Sequence, residues 1–339
     1  MKKLLSFLLV SLLTILPLTG CKADKAPLYE EELYALDTVI SFTLYSDNEE
    51  AVSAAKSEII RLEELLSATN PRSDISRINS APDTFVNVSD ECFELISKAM
   101  EVSDNSGGDF DITVYPAVKL WGFTDDKHKV PTDSELLDAK EKIGYNKIEI
   151  SKDSKSVKVP AGTELDLGGI AKGYIADKAA EVLAQQGVTS ALLNFGGNIR
   201  LIGTKPQGDN FKIGVKAPFA DGYYGVLSLS DATASTAGGY ERYFETGGKM
   251  YHHILNPQTA SPAETDVLSS TVIGQRGEVC DALSTAAFVK DSAEVKVLQD
   301  KYPDYSFILL TEDTLYISEE ILSRFEFTEN YRNLQIKTI

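Results

Sequence analysis

Cysteine, histidine and tryptophan are all scarce in this chain of 339 residues, which has three cysteines, three histidines and one tryptophan. Cys21 lies near the amino terminus, and only Cys92 and Cys280 follow it. Two cysteines cannot form a disulfide framework, and we expect no structural zinc. Because histidine is the side chain whose ordinary pKa lies near neutral pH, only a few groups of this kind are present.

Positive charge is also in short supply. The chain has 33 Lys and Arg against 51 Asp and Glu, which gives a formal net charge of −18. This balance disfavours nucleic acid and anionic lipid as partners. An acidic protein that holds a phosphate needs a local device, such as a metal ion or the amino terminus of a helix.

One apolar run at the amino terminus resembles a targeting segment. Lys2 and Lys3 precede the run Leu4–Leu16, which is too short to span a bilayer comfortably. It ends in LTGC, which resembles a lipobox and predicts that Cys21 is lipidated, for example with palmitate. The alternative is an ordinary signal peptide cut nearby, with Cys21 incidental. We predict a signal peptide over 1–20, a polar tether over 21–31 and one folded domain over 32–339.

Strand and helix patterns are mixed in the rest of the chain. ELYALDTVISFTLY (32–45) predicts one early strand, and 51–68 and 89–104 predict helices. TDSE (132–135) is a capping box, KDSK lies at a hairpin turn, and Gly187 ends a helix that begins near residue 171. No linker divides the chain, and strands do not alternate strictly with helices. The pattern therefore predicts one α+β domain.

The stretch DLGGIAKGYIAD (166–177) places glycines and one lysine at the start of a helix. Gly168 and Gly169 let the backbone approach a ligand or a neighbouring strand closely. The helix amino terminus offers free N–H groups, and Lys172 can add a positive charge for an anion. The spacing matches neither a Walker loop nor a dinucleotide-binding loop. Tight packing with a solvent-facing lysine is the other reading of this segment alone.

The stretch CDALSTAAF places Asp281 and Thr285 four residues apart, on one face of a predicted helix. A carboxylate and a hydroxyl are hard oxygen donors of the kind that Mg²⁺ prefers. An aspartate near a helix start can also be a simple cap.

Two further stretches contain candidate site residues. In YHHILNPQTASP, adjacent strand residues face opposite ways, so only one of His252 and His253 can face a given site. We assign His252 to a surface hairpin. SGGDFDITVYPAVKLWGF contains Trp121 and an Asp pair around Phe110, which can line a pocket for a flat ring or belong to the core.

These stretches together resemble the ApbE family, the FAD:protein FMN transferases. Seven motifs occur in the order of the family: LDTVISFTLY, NPRSDISRIN, GGDFDITVYPAVKLWGF, DLGGIAKGYIAD, LLNFGGNIRLIG, HILNPQTASP and DALSTA. The resemblance implies a single large α+β domain of a T-fold-related type. It also implies Mg²⁺-dependent transfer of FMN from FAD to a Thr or Ser of an acceptor protein, with release of AMP.

By position, the resemblance implies a metal site formed by the Gly169 carbonyl and the side chains of Asp281 and Thr285. The same resemblance implies that FAD, as substrate, lies along Leu36, Asp109, Phe110, Asp111, Asp166, Lys172 and Leu255. Thr69 is a further candidate FAD contact and stands where some members have a flavin-stacking tyrosine. Ser284 stands where some have a second carboxylate.

His253 matches the family's "HI" position and is our candidate base, with an unperturbed pKa near 6.5. The alternatives are an FAD pyrophosphatase, which uses water instead of the acceptor hydroxyl, and a flavin-binding lipoprotein without turnover. Because many family members are lipoproteins, we expect a lipid anchor at the extracytoplasmic face of the cell membrane. The expected partner is an acceptor of a membrane or extracytoplasmic redox system.

Overall fold

The computed structural model describes residues 28–125 and 127–339. Its strands, in chain order, are β1 (Tyr29–Ala35), β2 (Thr38–Leu44), β3 (Val86–Asn87), β4 (Glu149–Ser151), β5 (Ser156–Lys158), β6 (Ala191–Phe195), β7 (Asn198–Ile202), β8 (Phe211–Lys216), β9 (Tyr223–Leu229), β10 (Thr233–Ala237), β11 (Tyr243–Thr246), β12 (Lys249–His252), β13 (Leu255–Asn256), β14 (Ser261–Pro262), β15 (Ser269–Gly274), β16 (Ser306–Leu310), β17 (Thr314–Ile317), β18 (Phe325–Phe327) and β19 (Gln335–Thr338).

The α-helices of the same part of the chain are α1 (Glu49–Leu66), α2 (Asp74–Asn79), α3 (Asp90–Ser106), α4 (Tyr115–Trp121), α5 (Asp133–Lys140), α6 (Ala171–Gln185), α7 (Gly277–Val289), α8 (Val295–Lys301) and α9 (Glu319–Leu322). Short 3-10 turns lie at Tyr145–Lys147, Ser292–Glu294 and Glu329–Tyr331. No helix within 28–125 and 127–339 is long and apolar enough to cross a membrane.

The largest sheet in the described residues has nine strands in the order β1-β2-β6-β7-β10-β15-β16-β17-β19. All of its pairings are antiparallel except that of β17 with β19. Helices α1, α3 and α6 bury one face in the main hydrophobic core, and α7 is buried almost all round. A small sheet of β8, β9 and β18 covers part of the other face. Helices packed on one side of a mainly antiparallel sheet confirm the predicted α+β class.

The predicted early strand is wrong in one respect, because it is a hairpin. Strands β1 and β2 pair in antiparallel fashion, and the two-residue turn between them is Leu36 and Asp37. Both residues have φ of 55°, in the left-handed region that non-glycine residues rarely occupy. The turn contains no glycine or asparagine, so the sequence carries no usual hairpin signal there. The side chain of Glu63 on α1 accepts a hydrogen bond from Leu36 N–H at 2.7 Å and holds the turn.

The local signals at several other element ends are confirmed. Thr132 and Glu135 form a reciprocal capping box at the start of α5. Gly187 follows α6 with a φ of 85°, as expected for a glycine that ends a helix. The KDSK turn lies between β4 and β5, which pair in antiparallel fashion.

The predicted signal peptide, the lipobox with Cys21 and most of the tether lie outside the described residues. Strand β1 begins at Tyr29, so the folded domain includes the last part of the predicted tether. Cys92 and Cys280 are both buried free thiols.

Candidate active site

Helices α6 and α7 cross at a pair of glycines, and this contact builds the site. A Cβ placed on Gly173 would lie 2.0 Å from the carbonyl oxygen of Gly277, so only glycine permits this approach. Asp177 of α6 supports the crossing, because its Oδ2 accepts a 2.6 Å hydrogen bond from the N–H of Gly277. Arg200 pairs with the same carboxylate at 3.1 Å. The crossing brings the second turn of α7 against the start of α6.

Asp281 lies in that second turn and is only 5% exposed. Its Oδ2 accepts a hydrogen bond from Gly173 N–H at 3.1 Å, and its Oδ1 accepts one from Nδ2 of Asn198 at 3.2 Å. Because α7 begins at Gly277, Asp281 is one turn inside the helix and does not cap it. A backbone N–H and an amide therefore fix the orientation of this buried carboxylate.

Thr285, one turn further along α7, lies beside Gly169. A Cβ on Gly169 would be 3.6 Å from the Thr285 hydroxyl oxygen and 3.1 Å from Cε2 of Phe110. The loop backbone at Gly169 therefore lies close to the Thr285 hydroxyl, and a side chain there would be tight against the ring of Phe110. Carbonyl, carboxylate and hydroxyl oxygens are hard donors that fit Mg²⁺. Within the described residues, no group of three or more His, Cys, Asp or Glu side chains forms a metal cluster.

One observation supports a ligand at this place. The side-chain oxygen of Asn198, on the amide that holds Asp281, is buried and has no hydrogen-bond partner. Buried polar atoms normally have partners, because an unpaired one costs roughly 1–3 kcal/mol. A hydrated cation beside Asp281 would provide such a partner. The residues present therefore fit a bound Mg²⁺.

The glycine loop before α6 is tied to the loop that contains Phe110. Asp166 donates its N–H to the carbonyl of Ile112 at 2.8 Å, and its Oδ1 accepts from Gly168 N–H at 3.2 Å. Burial raises the pKa of Asp166, and the nearby charges of Lys172 and Arg242 oppose that rise. Lys172 donates to the carbonyl of Gly168 at 2.9 Å, which keeps its positive charge at the mouth of α6.

The two aspartates that flank Phe110 have different surroundings. Asp109 pairs with Lys290, just after α7, at 2.7 Å, and both residues line a cavity of about 300 Å³. Asp111 is buried and accepts hydrogen bonds from Thr113 and from the N–H of Tyr145. Burial raises the pKa of Asp111. Asp111 thus supports the loop, and its role toward FAD stays a prediction.

His253 directly follows β12 and lies near Lys172, at the amino-terminal end of α6. Its Nδ1 is 3.1 Å from the carbonyl oxygen of Arg242. A carbonyl only accepts, so Nδ1 carries the proton and Nε2 is the basic nitrogen. Burial, reinforced by the charges of Arg242 and Lys172, lowers the pKa of His253 to about 3. The expectation of an unperturbed pKa is therefore wrong, and the imidazole is neutral throughout the neutral pH range.

His252 is not the surface residue that we expected. It is buried, its Nε2 donates to the carbonyl of Ala263 at 3.1 Å, and its ring meets Phe288 edge-on at 5.4 Å. Burial lowers the pKa of His252 as well. The two histidines do face different surroundings, as the strand pattern predicts, but His252 belongs to the core.

The remaining candidate FAD contacts are Leu255, Leu36 and Thr69. Leu255 is buried in the cluster that contains Trp121, whose Nε1 donates to the carbonyl of Ala260 at 2.8 Å. Leu36 forms the strained hairpin turn described above, and Thr69 is exposed with its hydroxyl 3.1 Å from that of Ser67. No described hydrogen bond or ion pair joins Leu36 or Thr69 to the loops around Lys172.

Sequence reasoning missed three residues of the site. Asn198 lies in the motif LLNFGGNIRLIG, whose residue types alone do not indicate a role for it. Asp177 ends the stretch DLGGIAKGYIAD, where its position four residues after Gly173 places it on the same helix face. Arg242 had no local signal, because its carbonyl and charge reach His253 only through the pairing of β11 with β12.

Fold and site define a class: an α+β protein whose crossed helices present hard oxygen donors beside a lysine, an arginine and a neutral histidine. Such a site suits a phosphate-containing ligand. The sequence profile of the ApbE family matches residues 36–309, and the chain belongs to the ApbE family.

Named relatives and a solved structure agree with this assignment. The FAD:protein FMN transferase of Treponema pallidum (strain Nichols) is 32% identical over 309 residues, which cover 84% of this chain and 85% of the relative. A protein of the same name from Klebsiella pneumoniae (strain 342) is 35% identical over 267 residues, covering 77% and 82%. The crystal structure of the ApbE protein from Thermotoga maritima superimposes with a TM-score of 0.78 at 31% identity, covering 92% of this chain and all of that one.

Proposed function

We propose that this protein transfers FMN from FAD to a Thr or Ser hydroxyl of an acceptor protein and releases AMP, with Mg²⁺ as the required metal. The observation that carries the proposal is that Thr285 lies beside Gly169 and Asp281 lies against Gly173, next to Lys172 at the start of α6. The names of the relatives supply the flavin substrate.

The metal ligands in this proposal are the Gly169 carbonyl, the Asp281 carboxylate and the Thr285 hydroxyl. Bound Mg²⁺ would offset the negative charge that the pyrophosphate carries and develops during transfer. The chain contributes the orientation of its ligands. Gly173 N–H and Asn198 hold the carboxylate, and the Gly173–Gly277 contact sets the distance between the two helices.

His253 acts as the general base. The acceptor oxygen attacks the phosphorus on the FMN side, a new C–O–P ester forms, and the P–O bond to AMP breaks. The hydroxyl proton passes to Nε2, because Nδ1 already carries a proton and donates it in a hydrogen bond to the Arg242 carbonyl. A positioned base of this kind contributes roughly 10²–10⁴ to the rate.

Lys172 and Arg242 bind the substrate phosphates by charge. In the free protein the same two charges help to lower the pKa of His253. When the pyrophosphate neutralises them, the imidazole becomes more basic. Substrate binding thus strengthens the base at the moment it is needed.

One incubation tests the proposal. The folded protein is mixed with FAD, Mg²⁺ and an acceptor domain, and the products are analysed by mass spectrometry. We expect covalent FMN on the acceptor together with free AMP. Free FMN plus AMP without the covalent adduct would instead identify an FAD pyrophosphatase, and intact FAD would identify a flavin-binding protein without turnover.

We further propose that the protein is anchored through a lipid on Cys21 at the extracytoplasmic face of the cell membrane, where it meets an acceptor of a redox system. The support is the lipobox pattern LTGC after a short apolar run. Cys21→Ser should remove the lipid mass from the protein and release it from the membrane fraction. An unchanged lipid mass in the variant would show that Cys21 is not the anchor.

A further inference from the structure

Asn198 connects the large sheet to the carboxylate of Asp281. It begins β7, immediately after the turn at Gly196 and Gly197, and only 2% of the residue is exposed. Its Nδ2 donates to Oδ1 of Asp281 at 3.2 Å, while Gly173 N–H holds the other oxygen. These two donors come from different elements and approach different oxygens. The carboxylate cannot rotate without losing one of them.

The side-chain oxygen of Asn198 has no partner, and neither do two neighbouring hydroxyls. Ser235 on β10 stands directly opposite Asn198, and Ser270 on β15 stands opposite Ala237, two residues along β10. Residues opposite each other or two apart share one face of a sheet, so the three side chains face the same way. That face carries Val272 in the helix-side core, which α7 also joins. The hydroxyls of Ser235 and Ser270 are buried and unpartnered.

We propose that Asn198 is a positioning residue for Asp281, whose amide N–H aims the carboxylate and whose oxygen accepts a hydrogen bond from water bound to the cation. The inference rests on the proposed Mg²⁺ site. This role explains why the buried Asn198 amide donates its N–H to Asp281 while its side-chain oxygen has no partner. Groups that orient a metal ligand from behind typically contribute 10-fold to 100-fold to metal affinity.

The test measures Mg²⁺ binding to the FAD-free protein by isothermal titration calorimetry. Asn198→Ala and the nearly isosteric Asn198→Leu should raise the Kd for Mg²⁺ by about 10-fold to 100-fold. Both variants should also show a smaller Mg²⁺-induced rise in Tm, since they gain less from binding. A purely structural asparagine would lower the Tm of the metal-free protein and leave the Kd unchanged.

Asn198→Asp and Asn194→Ala complete the set. Asn198→Asp keeps an oxygen toward the cation and should bind Mg²⁺ more tightly than Asn198→Ala; equal weakness would overturn the role of the oxygen. Asn194 lies on the same β6–β7 hairpin, accepts a hydrogen bond from Gly197 N–H and should not affect the Kd. An equal loss in Asn194→Ala would mean that the hairpin, and not the Asn198 amide, sets the affinity.

The failures of the two proposals are distinguishable. If the parent binds Mg²⁺, Asp281→Ala does not, and both Asn198→Ala and Asn198→Leu bind like the parent, then Asn198 has no positioning role while the metal site stands. If the parent itself binds no Mg²⁺, the metal site and the role of Asn198 are both wrong.

Discussion

Gly173→Ala tests the helix crossing on which the site depends. Alanine is favoured over glycine within a helix by up to about 1 kcal/mol, so local propensity alone predicts a more stable protein. The structure predicts the opposite, because the new Cβ would lie 2.0 Å from the carbonyl oxygen of Gly277 and 2.3 Å from its carbonyl carbon. Contacts of Cβ atoms below 3.0 Å essentially do not occur, and the obstacle is backbone that cannot rotate away.

The two helices must therefore separate by about 1 Å, a shift of the kind that costs 1–3 kcal/mol or more in a packed interior. After the helix-propensity gain of up to about 1 kcal/mol is subtracted, we expect a net loss of about 1 kcal/mol or more in the free energy of unfolding, measured by urea denaturation. The separation should also weaken Mg²⁺ binding, since Gly173 N–H holds Asp281.

Gly277→Ala supplies the matched test from the other helix, where the Cβ would lie 2.3 Å from the carbonyl oxygen of Gly173. The double variant should lose less than the sum of the single losses, because one separation relieves both clashes. Gly187→Ala meets no atom within 4 Å and should lose only the roughly 1 kcal/mol of a positive φ. A more stable Gly173→Ala protein would refute the close crossing.

Three further predictions concern titrating groups. His253→Ala should lower the rate of FMN transfer by roughly 10²–10⁴ while Mg²⁺ still binds. The kcat/KM of the parent should not rise between pH 5.5 and 7.5, because a base with a pKa of about 3 is already deprotonated there. His252→Ala should destabilise the fold by roughly 2–4 kcal/mol in urea, because it removes a buried, hydrogen-bonded ring, yet transfer per folded molecule should remain. Burial raises the pKa of Asp177 to about 6 from 3.8, so the charged carboxylate destabilises the folded protein. As pH rises from 4 to 7, the free energy of unfolding of the parent should therefore fall by up to about 3 kcal/mol relative to that of Asp177→Asn. Paired urea titrations of the two proteins measure this difference.

Motifs predicted the content of the site better than its geometry. The i,i+4 spacing of Asp281 and Thr285 correctly placed both on one face of α7, because helical periodicity is local. That face contacts Gly169 and Gly173, which are more than 100 residues earlier in the chain. Local sequence patterns do not predict such a tertiary contact. The glycines marked a close approach, and their partner could only be found in the fold.

The errors have similar causes. The hairpin turn at Leu36 was missed because a residue with a large side chain adopts a left-handed conformation that Glu63 holds from another element. The lowered pKa of His253 could not be predicted from the sequence, because it comes mainly from burial, and the charges of Arg242 and Lys172 that add to it are brought close only by the fold. The prediction that His252 is exposed was wrong because strand alternation indicates only that neighbouring residues face opposite sides. It does not indicate which side faces the core.

The central claim is that the Asp281 site carries metal-dependent FMN transfer, and one measurement tests it most directly. The covalent FMN mass on an acceptor domain is followed for the parent and Asp281→Ala across a Mg²⁺ titration, with both proteins shown to be folded by circular dichroism. We expect the parent to load the acceptor in proportion to bound Mg²⁺ and the variant to load none at ordinary Mg²⁺ concentrations. Full loading by a folded Asp281→Ala protein, or loading by the parent in the presence of a chelator, would contradict the account.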